Sequence, residues 1–218
     1  MIERDYIMRM IDLLVKALTK ALLHKKAYEY PQAKQEIAGA YKSLLGVSPE
    51  FIHSFSDEQL MGLLGKDVET VGVKCYILGS LLKEEADIYR ISKEEGKSIS
   101  VYAKSLSLLL TAFLDTSVPI EPEHPTKIDA CVQALRSVEI PQHILEKLFA
   151  FYEIAQRYDK AEDVLFDLVT FDTSVVISGL AFYERLLNKS SDELTAGGLP
   201  RNEVLDGIDT LKKERLSS

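Results

Sequence analysis

The sequence predicts an all-α fold built from antiparallel helix hairpins. Apolar residues recur at three- and four-residue spacings, which place them on one face of a helix, and no long stretch alternates with the two-residue period of a strand. Helix breakers are few, because the 218 residues include only 11 Gly and 7 Pro. The interruptions between the predicted helices are mostly short, and short connections favour antiparallel neighbours.

The first two helices should form one such hairpin. Residues 2–27 read as a long amphipathic helix, and residues 30–45 read as its partner. Pro31 suits the first turn of the second helix, and Gly46 suits its end. The main apolar face of the first helix consists of Ile7, Ile11, Leu14, Leu18 and Leu22.

Capping signals mark the helices that follow. Ser48 precedes a proline at a typical helix start, and Ser56 with Gln59 forms a capping box. The pair Gly96-Lys97 predicts a break between two long helices, and Glu84-Glu85 is expected on water-facing positions of the earlier one. The predicted helices of this part cover residues 49–54, 57–64, 71–95 and 98–114.

A proline-rich stretch, residues 115–125, cannot be helical because it contains three prolines. The length of the chain fits a single helical domain over residues 1–218. Within that domain the loop separates two candidate halves, residues 1–114 and 126–218. Ser190 and Glu193 form a second capping box. The predicted helices of the second half cover residues 127–138, 141–157, 158–169, 174–188 and 201–215.

Composition and charge exclude several classes of protein. Hydrophobic residues make up 46% and charged residues 28%, which is the balance of a globular chain. The net charge of −8 disfavours nucleic acid as a partner, since phosphate binding needs concentrated Lys and Arg. No apolar run approaches the roughly 18 residues of a membrane span. The charged N-terminus does not resemble a secretory signal, so we expect a cytoplasmic protein without a membrane partner.

The sequence contains no recognisable catalytic or metal-binding motif. The two cysteines, Cys75 and Cys131, lie far apart and outside any Cys/His ligand spacing, so they are expected to be free thiols of a reducing compartment. The four histidines also lack ligand spacing, and the nucleotide-binding and nucleophile motifs are missing. We therefore expect neither an enzyme nor a cofactor or metal.

Three predicted hairpins carry large and small side chains at matching positions. These positions are Tyr30, Ala33, Ile37 and Ala40 in the first hairpin, Leu82, Ala86, Tyr89, Tyr102 and Ser105 in the second, and Leu145, Leu148, Tyr152, Tyr158, Ala161 and Leu165 in the third. The pattern resembles the tetratricopeptide repeat. It is degenerate, because Lys20 and His24 stand where that repeat has apolar residues, and the hairpins are not in tandem. The resemblance implies hairpins stacked as a degenerate tetratricopeptide-like helical repeat, and an ordinary helical bundle is the alternative.

The resemblance also implies a partner-binding groove. Its concave-facing positions in the second and third hairpins carry mainly charged side chains. Lys83 and Arg90 would bind carboxylates of a peptide, and the acidic side chains would bind a basic residue. The alternative is that these charges only keep the surface soluble. The expected groove residues are Lys83, Asp87, Arg90, His143, Glu146 and Glu153.

The whole chain, to about residue 210, is similar to a family of uncharacterised proteins of like length from low-GC Gram-positive bacteria. The resemblance rests on the opening segment 3–11, on Leu81-Leu82-Lys83-Glu84-Glu85, and on the closing segments 191–194 and 198–201. It implies a bacterial cytoplasmic protein with a tetratricopeptide-like fold and brings no established activity. From these observations we expect a non-enzymatic scaffold or adaptor that binds a protein or peptide. The alternatives are a small-molecule or peptide sensor with its ligand between the halves, and an enzyme without recognisable motifs.

A second apolar stripe on the first helix predicts self-association. It runs beside the main apolar face, and together the two are wider than one partner helix can cover. Large exposed apolar patches are uncommon on monomers. We therefore expect a homodimer through the N-terminal hairpin. The residues predicted to carry it are Tyr6, Met10 and Leu13.

Overall fold

The computed structural model describes residues 2–64, 70–116, 118 and 122–217. Within those ranges the chain forms α-helices and no strand, which confirms the all-α prediction. The chain divides into two compact units, residues 1–139 and 140–218. This division lies beyond the proline-rich stretch that separates the candidate halves of the sequence analysis.

The first unit contains seven helices in the described ranges. They are α1 (Ile2–Lys26), α2 (Tyr30–Ala40), α3 (Pro49–Ser54), α4 (Asp57–Leu64), α5 (Val71–Ile91), α6 (Glu95–Leu114) and α7 (His124–Leu135). α2 continues as one π-helical turn, Tyr41–Leu45, and ends at Gly46, whose φ is +69°. The predicted capping box is present at α4, where the Gln59 amide N–H donates to Ser56 Oγ at 3.2 Å and the Ser56 N–H donates to Gln59 Oε1 at 2.9 Å.

Helix α5 is central to the first unit, since α6 packs along it and α1, α2 and α4 also contact it. Its middle turns are buried on all sides; Leu78, Leu81 and Leu82 are at most 1% exposed. A helix segment that is apolar nearly all round is stable only when other helices cover every side of it. The position of α5 therefore decides what its charged residues can contact.

The α5–α6 contact depends on a close backbone approach at Gly79. A Cβ atom there would lie 2.9 Å from Leu109 Cγ and 3.2 Å from the Leu109 backbone nitrogen. The Gly79 carbonyl also accepts a hydrogen bond from Ser105 Oγ at 2.7 Å. The absence of a side chain thus allows α6 to lie directly against α5.

Replacing Gly79 by alanine should lower the free energy of unfolding by about 1–3 kcal/mol, because the added methyl group overpacks this contact. Gly39 is the matched control, since it is also inside a helix but a Cβ atom added there would meet no atom within 4 Å. Gly39→Ala should raise stability by about 0.5–1 kcal/mol through helix propensity alone. Urea unfolding followed by circular dichroism measures both changes. Equal effects of the two substitutions would contradict the close approach.

Helix α7 starts earlier than the sequence predicts. It begins at His124 with Pro125 in its first turn. The N–H group that proline lacks would have no acceptor within the helix at that position, so the proline is tolerated and the predicted loop ends at Glu123. Residues 117 and 119–121 of that loop lie outside the described residues. α7 packs against α6, which is why the first unit extends past the loop to Glu139.

The second unit contains five helices in the described range. They are α8 (Gln142–Ile154), α9 (Tyr158–Phe171), α10 (Val175–Leu187), α11 (Ser191–Ala196) and α12 (Arg201–Ser217). The capping box predicted at Ser190 and Glu193 is present. The carbonyl of Gly197 accepts hydrogen bonds from the N–H groups of Tyr158 and Asp159, at 2.8 and 3.2 Å. Two orphan donors at the start of α9 are therefore satisfied by the chain segment between α11 and α12.

One turn geometry recurs in three hairpins, α1–α2, α5–α6 and α8–α9. In each, a residue with positive φ ends the first helix: Tyr28 (62°), Lys93 (61°) and Gln156 (57°). The N–H of the next residue donates to the carbonyl five positions earlier, at 2.9 Å in all three cases. This is the Schellman closure, which usually employs glycine. The next helix begins two residues after the positive φ in every case.

The turn between α5 and α6 corrects the predicted helix break. The sequence predicts the break at Gly96-Lys97, but α5 ends at Ile91 and α6 already begins at Glu95. Gly96 lies inside the first turn of α6, and Lys93 takes the left-handed conformation instead.

Candidate functional site

Two predicted groove residues of α5, Lys83 and Asp87, belong to a largely buried ion-pair cluster that also includes a residue of α1. Lys25 Nζ lies 2.6 Å from Glu84 Oε2 and 2.9 Å from Asp87 Oδ2. Lys83 Nζ lies 2.9 Å from Glu84 Oε1 and 3.2 Å from the same Asp87 oxygen. The four side chains are between 10% and 17% exposed. The ion-pair cluster (Lys25, Lys83, Glu84 and Asp87) therefore balances two positive charges against two negative ones within the chain.

Asp87 has further partners besides the two lysines. The Tyr102 hydroxyl donates a short hydrogen bond to Asp87 Oδ1, and Arg90, 59% exposed, has a guanidinium nitrogen 3.7 Å from that oxygen. Burial acts to raise the pKa of Asp87, but Lys83, Tyr102 and Lys25 outweigh it and hold the pKa below its usual value. Asp87 thus stays ionised inside the cluster, and among Lys83, Asp87 and Arg90 it is Arg90 that presents most of its side chain to solvent.

Glu84 and Glu85 do not lie on water-facing positions, which corrects the sequence-based expectation. They are 8% and 6% exposed. Glu85 accepts hydrogen bonds from the Tyr41 hydroxyl at 2.7 Å and pairs with His53 Nε2 at 3.0 Å. Burial, and then the charge of Glu85, raise the pKa of Tyr41 well above its usual value, so the hydroxyl remains a donor. Partners from distant segments make the burial of these carboxylates possible.

The predicted groove residues of the second unit all lie on α8. His143 is half-buried, and Glu146 is exposed and accepts a hydrogen bond from Gln142 Nε2 at 3.0 Å. Glu153 binds Arg185 with both oxygens, at 2.6 and 2.8 Å. Among these three residues, Glu146 is the most open to solvent.

Helix α1 carries half of the large hydrophobic side chains that the described residues leave exposed. They are Tyr6, Met8, Leu13, Val15, Leu22 and Leu23, at 36–61%. Met10 is only 4% exposed, so it belongs to the core of the first unit and is not available to a partner. Of the three residues predicted to carry self-association, Tyr6 and Leu13 remain on the surface.

A cleft of about 350 Å³ runs beside α1 in the first unit. Pro122 and Glu123 line it from the loop just before α7, Lys127 lines it from α7, and Tyr76 and Glu84 line it from α5. Its apolar wall on α1 consists of Ile11, Leu14, Val15, Leu18 and Leu22. We call this feature the α1 cleft. It combines an apolar wall with a few polar groups, which is the usual composition of a binding site.

The polar side of the α1 cleft is held in place by Lys127. Its Nζ donates to the Tyr76 hydroxyl at 2.9 Å and lies 3.7 Å from Glu123 Oε2. The Lys127 side chain is 12% exposed, whereas Glu123 is 81% exposed. The cleft therefore has a fixed polar side and one acidic group at its outer rim.

His124 lies behind this polar side as a packing residue. It is fully buried between the rings of Tyr76 and Phe113, whose centroids are 4.7 and 5.6 Å away. Its Nε2 donates to the Leu109 carbonyl at 2.8 Å, and Nδ1 has no partner among the described residues. Burial lowers the pKa of His124 to about 4. The ring is thus neutral at pH 7.

In the described residues, no group of three or more His, Cys, Asp or Glu side chains is arranged to hold a metal ion. None of the described helices is both long and apolar enough to cross a membrane. Cys75 and Cys131 are buried and form no disulfide.

The profile of a family of unknown function, DUF6483, matches residues 1–215. The chain belongs to this family. Membership in DUF6483 confirms that the sequence resembles a whole-chain family of unknown function. No curated protein and no solved structure gives a match to the chain.

The α1 cleft was not predicted, although the sequence contains a signal for it. Met8, Val15 and Leu22 recur every seven residues and add an apolar strip to the flank of the main face. The sequence could not show that α7 lies across from this strip, because α7 is remote in the chain.

Proposed function

We propose that this member of DUF6483 is a non-enzymatic protein-binding scaffold of the bacterial cytoplasm, and that the α1 cleft receives a helical segment of its partner. The observation that carries the proposal is the apolar strip of α1. Met8, Val15 and Leu22 are 51%, 55% and 36% exposed along one flank of a single helix. A continuous exposed apolar strip of this kind is typical of protein-binding surfaces.

The shape of the α1 cleft suits an amphipathic helix. The strip has the seven-residue period with which one helix meets another, and Ile11 and Leu18 lie between its members. A helix beside α1 would place an apolar side chain against this wall at each turn. The groove that the sequence predicts across α5 is less suitable, because Lys83 and Asp87 already bind each other.

Two further observations support this proposal. The three hairpins with the same Schellman closure are those whose side-chain spacing resembles the tetratricopeptide repeat, a fold whose stacked hairpins bind protein segments. The lack of a disulfide at the buried Cys75 and Cys131 agrees with a reducing compartment.

A small-molecule sensor is the second candidate function. The volume of the α1 cleft, about 350 Å³, falls within the range of small-ligand sites, and its Tyr76 hydroxyl and Lys127 ammonium would orient a ligand. In this case the apolar wall of α1 would contact the ligand instead of a helix.

Photo-cross-linking in cells tests the proposal. A photoreactive amino acid at Val15 should give covalent adducts with a protein, and mapping of the linked peptides should place them in one helical segment. Ile177 on α10 of the second unit is the matched control, since it is 65% exposed and apolar but lies outside the cleft. If Val15 gives no more protein adducts than Ile177, the proposed function is wrong. A small-molecule adduct at Val15 alone would favour the sensor.

A further inference from the structure

We infer that the helical segment received by the α1 cleft is α1 of a second copy of this chain, paired in antiparallel orientation about a two-fold axis. The inference rests on the proposed function, because it names the partner of the same site. The dimer predicted from the sequence would form through the other flank of α1. Tyr6 and Leu13 lie on the opposite side of the buried stripe from Met8, Val15 and Leu22.

The apolar strip complements itself. Met8, Val15 and Leu22 alternate with Ile11 and Leu18 at spacings of three and four, the pattern of a two-helix seam. When the strip is reversed in an antiparallel copy, its exposed members face each other: Met8 meets the partner's Leu22, and Val15 meets the partner's Val15. Ile11 and Leu18, which are 8% and 9% exposed, lie beneath these contacts. Both kinds of layer are apolar on both sides, with Val15 on the two-fold axis and a Met8–Leu22 layer on either side of it.

The charges at the exposed edge of this strip determine the orientation. Asp5 and Asp12 lie on that edge in the first half of α1, and Lys26 lies on it near the end; all three are exposed. In the antiparallel pair Asp5 faces the partner's Lys26, and the two-fold axis makes this contact twice. A parallel pair would instead place Asp5 beside Asp5 and Lys26 beside Lys26. Opposite charges thus favour the antiparallel dimer and like charges oppose the parallel one.

The length and symmetry of α1 fit a closed dimer. The helix has 25 residues and is about 37 Å long, so the strip offers several layers within one pair. The contact uses the same surface on both copies, so the assembly closes at two chains and leaves no apolar strip for a third.

The mass of the full-length protein in solution tests this inference. Light scattering after size-exclusion chromatography should give the mass of a dimer at micromolar concentrations. Val15→Glu should raise the dissociation constant at least tenfold, because it puts two charges into the seam. Leu13→Glu is the matched control, since Leu13 is 45% exposed on the other flank of the same helix, and it should leave the dimer intact. Circular dichroism checks that both variants are folded, and Met8→Glu replaces Val15→Glu if the latter unfolds.

A charge reversal tests the orientation. Asp5→Lys should weaken the dimer several-fold, and the double variant with Asp5→Lys and Lys26→Asp should restore it. A wild-type protein that is monomeric at high micromolar concentration overturns the inference, as does a dimer broken by Leu13→Glu and not by the cleft variants. The cross-linking experiment separates this failure from that of the proposed function. Adducts of Val15 with another protein would leave the proposed function standing, and adducts with no protein would end both.

Discussion

Replacing Asp87 by alanine should lower the free energy of unfolding of the first unit by about 3 kcal/mol at pH 7, because it removes one member of a buried charge cluster. Lys25 and Lys83 would be left with Glu84 as their shared carboxylate, and the Tyr102 hydroxyl would lose its acceptor. Urea denaturation followed by circular dichroism measures the change.

Glu146→Ala is the matched control for this substitution. Glu146 is another acidic residue predicted for the partner groove, but it is exposed and its bond to Gln142 lies at the surface. Its removal should change stability by less than about 0.5 kcal/mol. If Asp87→Ala were as mild as Glu146→Ala, the cluster would contribute nothing to the fold, and the assignment of Asp87 to a partner groove would gain support.

Lowering the pH from 7 to 5 should destabilise the first unit by roughly 2 kcal/mol through His124. The pKa of this buried imidazole falls to about 4 in the folded protein, against about 6.5 in the unfolded chain. Its contribution is therefore complete above pH 6.5 and is lost as the pH falls towards 4, since only the unfolded chain takes up the proton. The groups around the ring are Tyr76, Phe113 and the Lys127 ammonium, whose charge also opposes protonation.

The second unit should respond to pH in the opposite direction. Burial raises the pKa of Glu162, and Glu203, Asp163 and Asp159 add to the effect, although the Tyr183 hydroxyl opposes it. The folded unit therefore binds this proton more tightly than the unfolded chain, and its stability rises as the pH falls through the raised pKa. Hydrogen exchange corrected for intrinsic rates resolves the two units. His124→Gln should remove most of the loss in the first unit, and equal losses in both units would contradict the assignment.

The sequence predicts those parts of the fold that depend on neighbouring residues. Both capping boxes, at Ser56 and at Ser190, are present because a cap is formed by side chains three positions apart. The all-α class follows from apolar periodicity in the same way. The predicted end of α5 was wrong, because the residue that ends the helix in the left-handed conformation is Lys93 and not a glycine.

The candidate site depends on contacts between distant segments, and these were not predicted. Glu84 and Glu85 are buried because Lys25, Tyr41 and His53 reach them from other helices, and nothing near them in the sequence signals those partners. Spacing also could not distinguish Met10, which is core, from Leu13, which is exposed, since both belong to one apolar stripe. A modest rotation of α1 about its axis decides which is covered.

The hydrogen bonds to the Gly197 carbonyl have a consequence for biosynthesis. The first amides of α9 find their acceptor in a segment that the ribosome adds only after α9, α10 and α11 have been made. A Cβ at Gly197 would come within 2.3 Å of the Tyr158 ring, so this late segment must also dock tightly against the start of α9. The α8–α9 hairpin can emerge early, but its second helix stays uncapped until the C-terminal segment arrives. The start of α9 can therefore be completed only after Gly197 has left the ribosome.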